Sequence, residues 1–235
     1  MRYQSLDILR GLAIIGMVLF HANYMLEEVF AIEIFHFSTR FWYILGRVVG
    51  ITFIIVSGIS FYLSVQNRLL SRIVTNTKKR FMILTTIALI ISFVTYVFFY
   101  EQRISFGIIH FFAVSTLLGL PFIRLWSWNM IVGILCLLVG YYINPISVDT
   151  DLLIPIGLTP MDYYSADYYP IFPWFGYYLI GYGVADWLHR IRYFARVFSG
   201  SYTFIQPLAS MGRYSLLIYV VHVPIVYIVL RLILL

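Results

Sequence analysis

Charged residues are scarce in this chain of 235 residues. Asp, Glu, Lys and Arg make up 11% of it and hydrophobic residues 62%, whereas a soluble globular domain is about 25% charged. The mean hydropathy of +0.90 agrees with this imbalance. The composition therefore excludes a soluble globular domain and predicts a polytopic membrane protein.

Cysteine and several catalytic motifs are also nearly or wholly missing. The one cysteine, Cys136, can form no disulfide within the chain, so a disulfide-stapled fold is excluded. There is no His-Glu-x-x-His motif, no His-x-x-x-His pair and no cysteine cluster, so no metal site is predicted. Neither a nucleophilic-serine turn nor a glycine-rich phosphate loop is present.

Long apolar runs dominate what is there. A spanning helix needs ~20 mainly apolar residues, and about seven runs meet or approach that length. The first is expected to be a retained helix, because it is too long for a signal peptide and no cleavage site follows it. The predicted fold is all-α, a single domain over residues 1–235 forming a polytopic transmembrane bundle. The predicted spans are 6–26, 41–66, 80–100, 104–123, 128–145, 171–189 and 213–235.

The orientation of the bundle follows from its Lys and Arg residues, which favour cytoplasmic loops. With the N-terminus inside, only Arg40, Arg103 and Arg231 fall outside, and the C-terminus is outside. The acidic loop 144–170 then lies outside, where a loop of this length is typically functional or disordered. The basic residues are split over four cytoplasmic segments, so a nucleic-acid surface is not predicted. The inner set is Arg2, Arg10, Arg68, Arg72, Lys78, Lys79, Arg80, Arg124, Arg190, Arg192, Arg196 and Arg213.

Three predicted spans carry a basic or titratable side chain near the outer face. Arg47 and His110 each lie about six residues, or roughly 9 Å, from the outer end of their span, and His21 lies about a turn and a half below the end of the first. His36 lies in the outer loop above them. Ionisable residues in spans usually face the bundle interior, so these four are the predicted catalytic residues. Taken singly, each histidine also fits a packing role, and Arg47 fits a side chain that snorkels to the headgroups.

The cytoplasmic face carries the candidates for anion binding. Asp7 and Arg10 are three residues apart and can pair on one helix surface. Arg10 with Arg72 and the Lys78, Lys79 and Arg80 run could instead hold a phosphorylated ligand. The alternatives stay open, since the positive-inside rule alone accounts for the basic loops.

Two further histidines are expected to be structural or without a role. His222 lies two residues before Pro224 in the last span. Proline leaves a carbonyl one turn earlier unpaired, and His222 or Tyr219 could help to satisfy the freed groups. His189 lies in a basic cytoplasmic stretch, and no function is predicted for it.

Five segments resemble, in order, the motifs of the heparan-α-glucosaminide N-acetyltransferase catalytic-domain family, a group of membrane acyltransferases. Together they extend over nearly the whole chain, and the small prokaryotic-type relatives are similar to it at His21, His110 and Arg47. The segments are RYQSLDILRGLAIIGMVLFH (2–21), FIIVSGISFYLS (53–64), RISFGIIHFFAVSTLL (103–118), IFPWFGYYLIGYGVAD (171–186) and MGRYSLLIYVVHVPIV (211–226).

The resemblance implies a multi-helix enzyme that moves an acetyl group from acetyl-CoA to an acceptor. In the lysosomal members the acceptor is a glucosamine on the far side of the membrane, and a histidine between the first two helices is central; His36 is its nearest positional match. The expected acceptor is therefore a glycan or amino sugar at the outer side. The expected location is the plasma membrane of a prokaryote, with a homo-oligomer possible.

Two chemical routes for acetyl transfer remain open at this stage, and two other classes of function are weighed against them. A neutral histidine would take a proton from the acceptor as it attacks the thioester, or would itself carry the acetyl group, with Arg47 stabilising the oxyanion. A proton-coupled carrier would also place His and Arg in its spans, but no matching halves with broken helices are evident. A non-catalytic scaffold would leave the shared depth of the basic residues unexplained.

Overall fold

The computed structural model describes residues 3–32, 39–198 and 205–234, and in these ranges the chain is helical apart from loops and one isolated bridge between Ser147 and Thr159. Short 3₁₀ helices occupy Tyr100–Gln102, Pro121–Trp128 and Asp151–Leu153. The all-α prediction is confirmed. The α-helices are α1 Gln4–Glu28, α2 Thr39–Val65, α3 Leu70–Phe98, α4 Ile108–Leu118, α5 Asn129–Ile143, α6 Ile171–Arg190, α7 Phe194–Phe198, α8 Gln206–Arg213 and α9 Ser215–Leu234.

Five segments of the described chain are long and apolar enough to cross a membrane: α1, α2, α3, the joined stretch Pro121–Ile143 and α9. They correspond to five of the seven predicted spans. The other two fall on α4, which has 11 residues, and on α6, whose tyrosines, glycines and prolines make it less apolar. The chain is thus an integral membrane protein with five candidate spans.

Helix α3 begins about ten residues before the predicted start of its span. At 29 residues and about 1.5 Å per residue it is about 44 Å long, against about 30 Å for the hydrocarbon core. Its first turns carry Arg72 and the Lys78–Arg80 run and are polar, whereas the remainder is apolar. The helix continues through these turns because no Gly or Pro interrupts them, and their Arg and Lys residues favour a helix.

The helices form two compact groups, and the first comprises Met1–Val56 with Arg192–Leu235. In it α1 buries Leu6, Ile14 and Met17. Helix α8 runs antiparallel to α1 at backbone contact: a Cβ on Gly11 would meet the carbonyl of Leu208, and one on Gly212 would meet that of Asp7. Only glycine permits so close an approach.

The second group, Ser57–Ile191, is organised around α5 and α6. These helices are antiparallel, since Gly133 lies against Gly176 and Gly140 lies against Pro173. The small residues let the two backbones meet, as they commonly do between membrane helices. The same principle joins α2 to α6, where Gly58 meets the carbonyl of Tyr178.

The loop 144–170 is folded rather than extended. Ile154 is buried, and its carbonyl accepts a hydrogen bond from the Tyr168 hydroxyl at 2.9 Å. Burial raises the pKa of the Tyr168 phenol above its ordinary value. The backbone N–H of Tyr169 donates to the carbonyl of Phe106, and that of Ile171 donates to Pro155. These bonds pin the loop to the start of α4 and α6.

Candidate active site

His21 lies in the last third of α1 with its ring held by the helix backbone. Its Nδ1 is 2.9 Å from the carbonyl oxygen of Met17, four residues earlier. A carbonyl only accepts, so the proton is on Nδ1 and the lone pair of the neutral ring is on Nε2. This tautomer presents the nitrogen that can act as a base or nucleophile away from the backbone.

His222 is held in the same way on α9. Its Nδ1 donates to the carbonyl oxygen of Tyr219 at 2.6 Å. Its side chain is the one buried position of α9, with 5% of the residue exposed. Its Nε2 is buried and has no hydrogen-bond partner among the residues that the structure describes.

The two imidazoles lie against each other. Their ring centroids are 4.7 Å apart and the ring planes meet at 80°, so that the edge of one ring faces the other. The rings of Phe20 and Tyr219 complete the surroundings, at 5.3 Å from His21 and 5.6 Å from His222. Each histidine has its Nδ1 proton on a carbonyl, so the pair holds two Nε2 lone pairs in an apolar setting. Burial in such a setting disfavours a charge on either ring, and a charge on one ring disfavours a second charge on its neighbour.

A second aromatic contact joins the α1 and α9 segments. Phe30 stacks on Tyr227 at 5.9 Å, which aligns the two helices beyond the histidines. The carbonyl that Pro224 leaves unpaired is that of Val220, four residues earlier, whereas His222 Nδ1 bonds to that of Tyr219. The expected role of His222 near Pro224 therefore stays a prediction, and its Nε2 is left unexplained. A lone ionisable residue inside an apolar span, the criterion that selected His21, would have selected His222 as well.

His110 has a different environment at the start of α4. Its Nδ1 accepts from the backbone N–H of Gly107 at 3.2 Å, so its proton is on Nε2, which lies 3.1 Å from the hydroxyl of Ser92. The Ser92 hydroxyl in turn donates to the carbonyl of Ile104 at 2.6 Å. Asp167 accepts from the N–H of Ile108 at 2.9 Å. Both ring nitrogens of His110 are therefore used to cap a helix end and join it to α3.

Of the remaining two predicted catalytic residues, Arg47 is exposed on α2, with its guanidinium carbon 5.1 Å from the centre of the Tyr43 ring. His36 lies outside the described residues. The structure brings His21 together with His222, which was not among the predicted site residues.

Arg10 forms the predicted ion pair with Asp7. Its Nη1 is 2.7 Å from Asp7 Oδ1, and the two side chains are 22% and 3% exposed. Asp7 lies where α8 meets α1 through Gly212, so the pair stabilises that contact. Of the two roles considered for Arg10, the ion pair with Asp7 is present in the structure. Phosphate binding by Arg10 stays a prediction.

The other predicted phosphate ligands lie on the first turns of α3. Arg72, Lys78, Lys79 and Arg80 are all exposed. In the same group, Asp186 accepts from Ser127 at 2.6 Å and from Arg190 at 2.7 Å. The role of the four exposed α3 cations as phosphate ligands stays a prediction.

The described residues include no cluster of three His, Cys, Asp or Glu side chains that could hold a metal ion. They do contain five segments apolar enough to cross a membrane, a folded loop, and two imidazoles in edge-to-face contact. This defines an integral membrane protein with titratable side chains inside its helices.

The chain belongs to the family described as heparan-alpha-glucosaminide N-acetyltransferase, catalytic, whose model matches residues 2–224. The resemblance drawn from five short motifs is confirmed. Members of this family are membrane acetyltransferases that use acetyl-CoA as the acetyl donor. No curated protein and no solved structure matches the chain significantly.

Proposed function

We propose that this protein moves an acetyl group from cytoplasmic acetyl-CoA to an amine or hydroxyl of a sugar-type acceptor at the outer side of the membrane, with His21 as the general base. The family supports the donor and the reaction class. The observation that carries the role of His21 is its fixed tautomer, with Nδ1–H on Met17 and the lone pair on Nε2.

The proposed step is a direct transfer. The acceptor nitrogen or oxygen attacks the thioester carbonyl carbon while its proton passes to His21 Nε2. The tetrahedral intermediate collapses as the carbon–sulfur bond breaks, and the thiolate of CoA takes the proton back from the imidazolium. The alternative is that Nε2 attacks first and carries the acetyl group as an acetyl-imidazole.

Arg47 and His36 keep their predicted roles as proposals. Arg47 would stabilise the oxyanion or orient the donor, but its exposure means that a ligand or a second copy of the chain would have to cover it, because an oxyanion site works by excluding water. His36 is the nearest match to the family's central histidine.

The phosphates of CoA are proposed to bind cytoplasmic cations. Arg72, Lys78, Lys79 and Arg80 are one candidate set, since they are exposed on a helix that is longer than the membrane is thick. Arg10 is a separate candidate, and its charge is partly satisfied by Asp7. Single reversals to Glu in each set, assayed by acetyl-CoA binding, distinguish the two.

The proposed topology keeps seven spans, with the N-terminus cytoplasmic and the C-terminus outside. Helix α6 has 20 residues, enough to cross about 30 Å, and α4 would be extended by its flanking residues. Cysteine-accessibility labelling from each side, in a Cys136→Ser background, tests it. A position in 144–170 that is labelled only from the cytoplasm would contradict the proposal.

The experiment that tests the function uses the whole chain in nanodiscs. Acetyl-CoA is titrated for binding, CoA release is followed with glucosamine as the probe acceptor and with water alone, and labelled acetyl-CoA tests for acetyl-enzyme. Absence of binding, release and labelling together contradicts an acetyltransferase. Uptake of a labelled solute into proteoliposomes without CoA would instead support a carrier.

A further inference from the structure

The burial of His222 needs an explanation beyond packing. On α9 every other side chain is at least partly exposed, and nearly all are apolar. A buried polar nitrogen without a hydrogen bond lowers stability, and a leucine or phenylalanine at this position would avoid that cost. An α9 selected only for membrane insertion and packing would not place its one buried position on an imidazole.

The unpartnered atom also belongs to a ring that contacts the proposed base. His222 Nε2 has no hydrogen-bond partner among the described residues, and its ring is 4.7 Å from that of His21, edge to face. Because its Nδ1–H is fixed on Tyr219, the ring cannot turn to offer a proton toward His21 without breaking that bond. It can offer only a lone pair or its ring face, and both attract a cation.

We propose that His222 is a positioning residue that acts with His21 as one proton-holding pair during acetyl transfer. The inference rests on the proposed function and adds to it a second residue. When His21 Nε2 takes the proton of the acceptor, the new imidazolium stands beside the neutral ring of His222, which stabilises the charge in an apolar setting. The proton returns from His21 to the thiolate of CoA, so His222 neither gains nor loses an atom.

The geometry also orients His21. The edge-to-face contact with His222 constrains the plane of the His21 ring, in addition to the bond to Met17. The direction of the Nε2 lone pair is thereby set for the acceptor. A general base must lie within hydrogen-bond reach of the proton that it removes, so a loss of this contact should lower kcat more than it raises KM for acetyl-CoA.

The test compares His222→Asn, His222→Phe, His21→Ala and the double variant His21→Ala/His222→Asn in nanodiscs. CoA release is measured with glucosamine and with water as the acceptors. We expect His222→Asn to lower kcat about tenfold or more, with KM for acetyl-CoA changed less than about twofold. The double variant should be no slower than His21→Ala alone, because residues that act as a unit are not additive.

Two variants separate this role from a structural one. His222→Phe keeps a ring of similar shape and removes the unsatisfied nitrogen, so it should fold at least as stably as the wild type and yet be as slow as His222→Asn. His189→Asn is the matched control: that histidine is bonded to Gln66 at 2.7 Å in the other helix group, and its loss should leave turnover unchanged. The proposed pair would be overturned if His222→Phe kept the wild-type kcat. It would also be overturned if the kcat losses of His21→Ala and His222→Asn multiplied in the double variant.

A second measurement does not depend on turnover. In spectra of ¹⁵N-histidine-labelled protein, His222→Asn should shift the Nε2 resonance of His21, and His189→Asn should not. An unmoved His21 resonance overturns the pair by itself. The two proposals can also fail separately. If His222→Asn shifts the His21 resonance but the wild-type protein neither binds acetyl-CoA nor releases CoA, the contact between the rings is established. The acetyltransferase proposal and the catalytic role of the pair are then rejected.

Discussion

The contact between α1 and α9 and the contact between α3 and α4 both place a histidine between apolar helices, and the two histidines are used differently. His110 has both ring nitrogens in hydrogen bonds, one to Gly107 and one near the Ser92 hydroxyl. His222 has one nitrogen on a carbonyl and the other buried without a partner in the described chain.

The two histidines therefore differ in hydrogen-bond saturation, a property separate from their depth in the membrane. A saturated imidazole has no lone pair left for a substrate, and its energy comes from the bonds that it makes. A buried nitrogen without a bond lowers stability, so its retention implies a use outside the packing. His21 resembles His222 in donating its Nδ1 proton to a carbonyl of its own helix.

The largest expected effect is the difference in kcat between His21→Ala and His110→Ala. His21→Ala should lower kcat at least about 100-fold, or about 2.7 kcal/mol in barrier height, as expected for the loss of a general base. His110→Ala should stay within about threefold in kcat once folded protein is counted. CoA release in nanodiscs measures both, and the reverse order of losses would move the active site to α4.

The next effect contrasts the two ion pairs. Arg10→Ala removes the cation that lies 2.7 Å from the buried Asp7 carboxylate and should lower stability by about 2 kcal/mol. Arg190→Ala should have an effect of less than about 1 kcal/mol, because Arg190 is 54% exposed and Asp186 keeps the Ser127 hydroxyl. Denaturant unfolding in detergent compares them, and equal losses would show that saturation of the acid does not matter.

A smaller effect sharpens the assignment of His110. Ser92→Ala removes the hydroxyl that joins His110 to the carbonyl of Ile104 and should lower stability by about 1 kcal/mol without changing kcat. The variant Ser64→Ala is a control, since that hydroxyl bonds only within its own helix. A large fall in turnover with Ser92→Ala would return His110 to the catalytic candidates.

The smallest effect concerns the folded loop 144–170. Burial raises the pKa of Tyr168 in the folded state, so the unfolded chain loses that proton first and stability falls as the pH rises above about 10. Tyr168→Phe should remove this part of the alkaline loss and lower stability at neutral pH by less than about 1 kcal/mol. Thermal unfolding at pH 7 and above pH 10 tests the sign, and an unchanged alkaline slope would contradict it.

The helical class and the membrane setting are predictable from the sequence because long apolar runs leave the backbone few other ways to satisfy its hydrogen bonds. The Asp7–Arg10 pair is equally local, being fixed by three-residue spacing on one helix. The partner of His21 is not predictable in this way, since it depends on which helix packs on α1 some two hundred residues later. The long start of α3 was missed because hydropathy marks where the lipid ends and not where the helix ends.

Helix α9 has a consequence for how this gene can drift. Every one of its 20 side chains except that of His222 is at least partly exposed. Exchange among leucine, valine, isoleucine and phenylalanine should therefore be nearly neutral at its aliphatic positions. Selection would then fall on a single codon in the segment, that of His222. Saturation mutagenesis of α9 should return a flat tolerance profile with one deep trough.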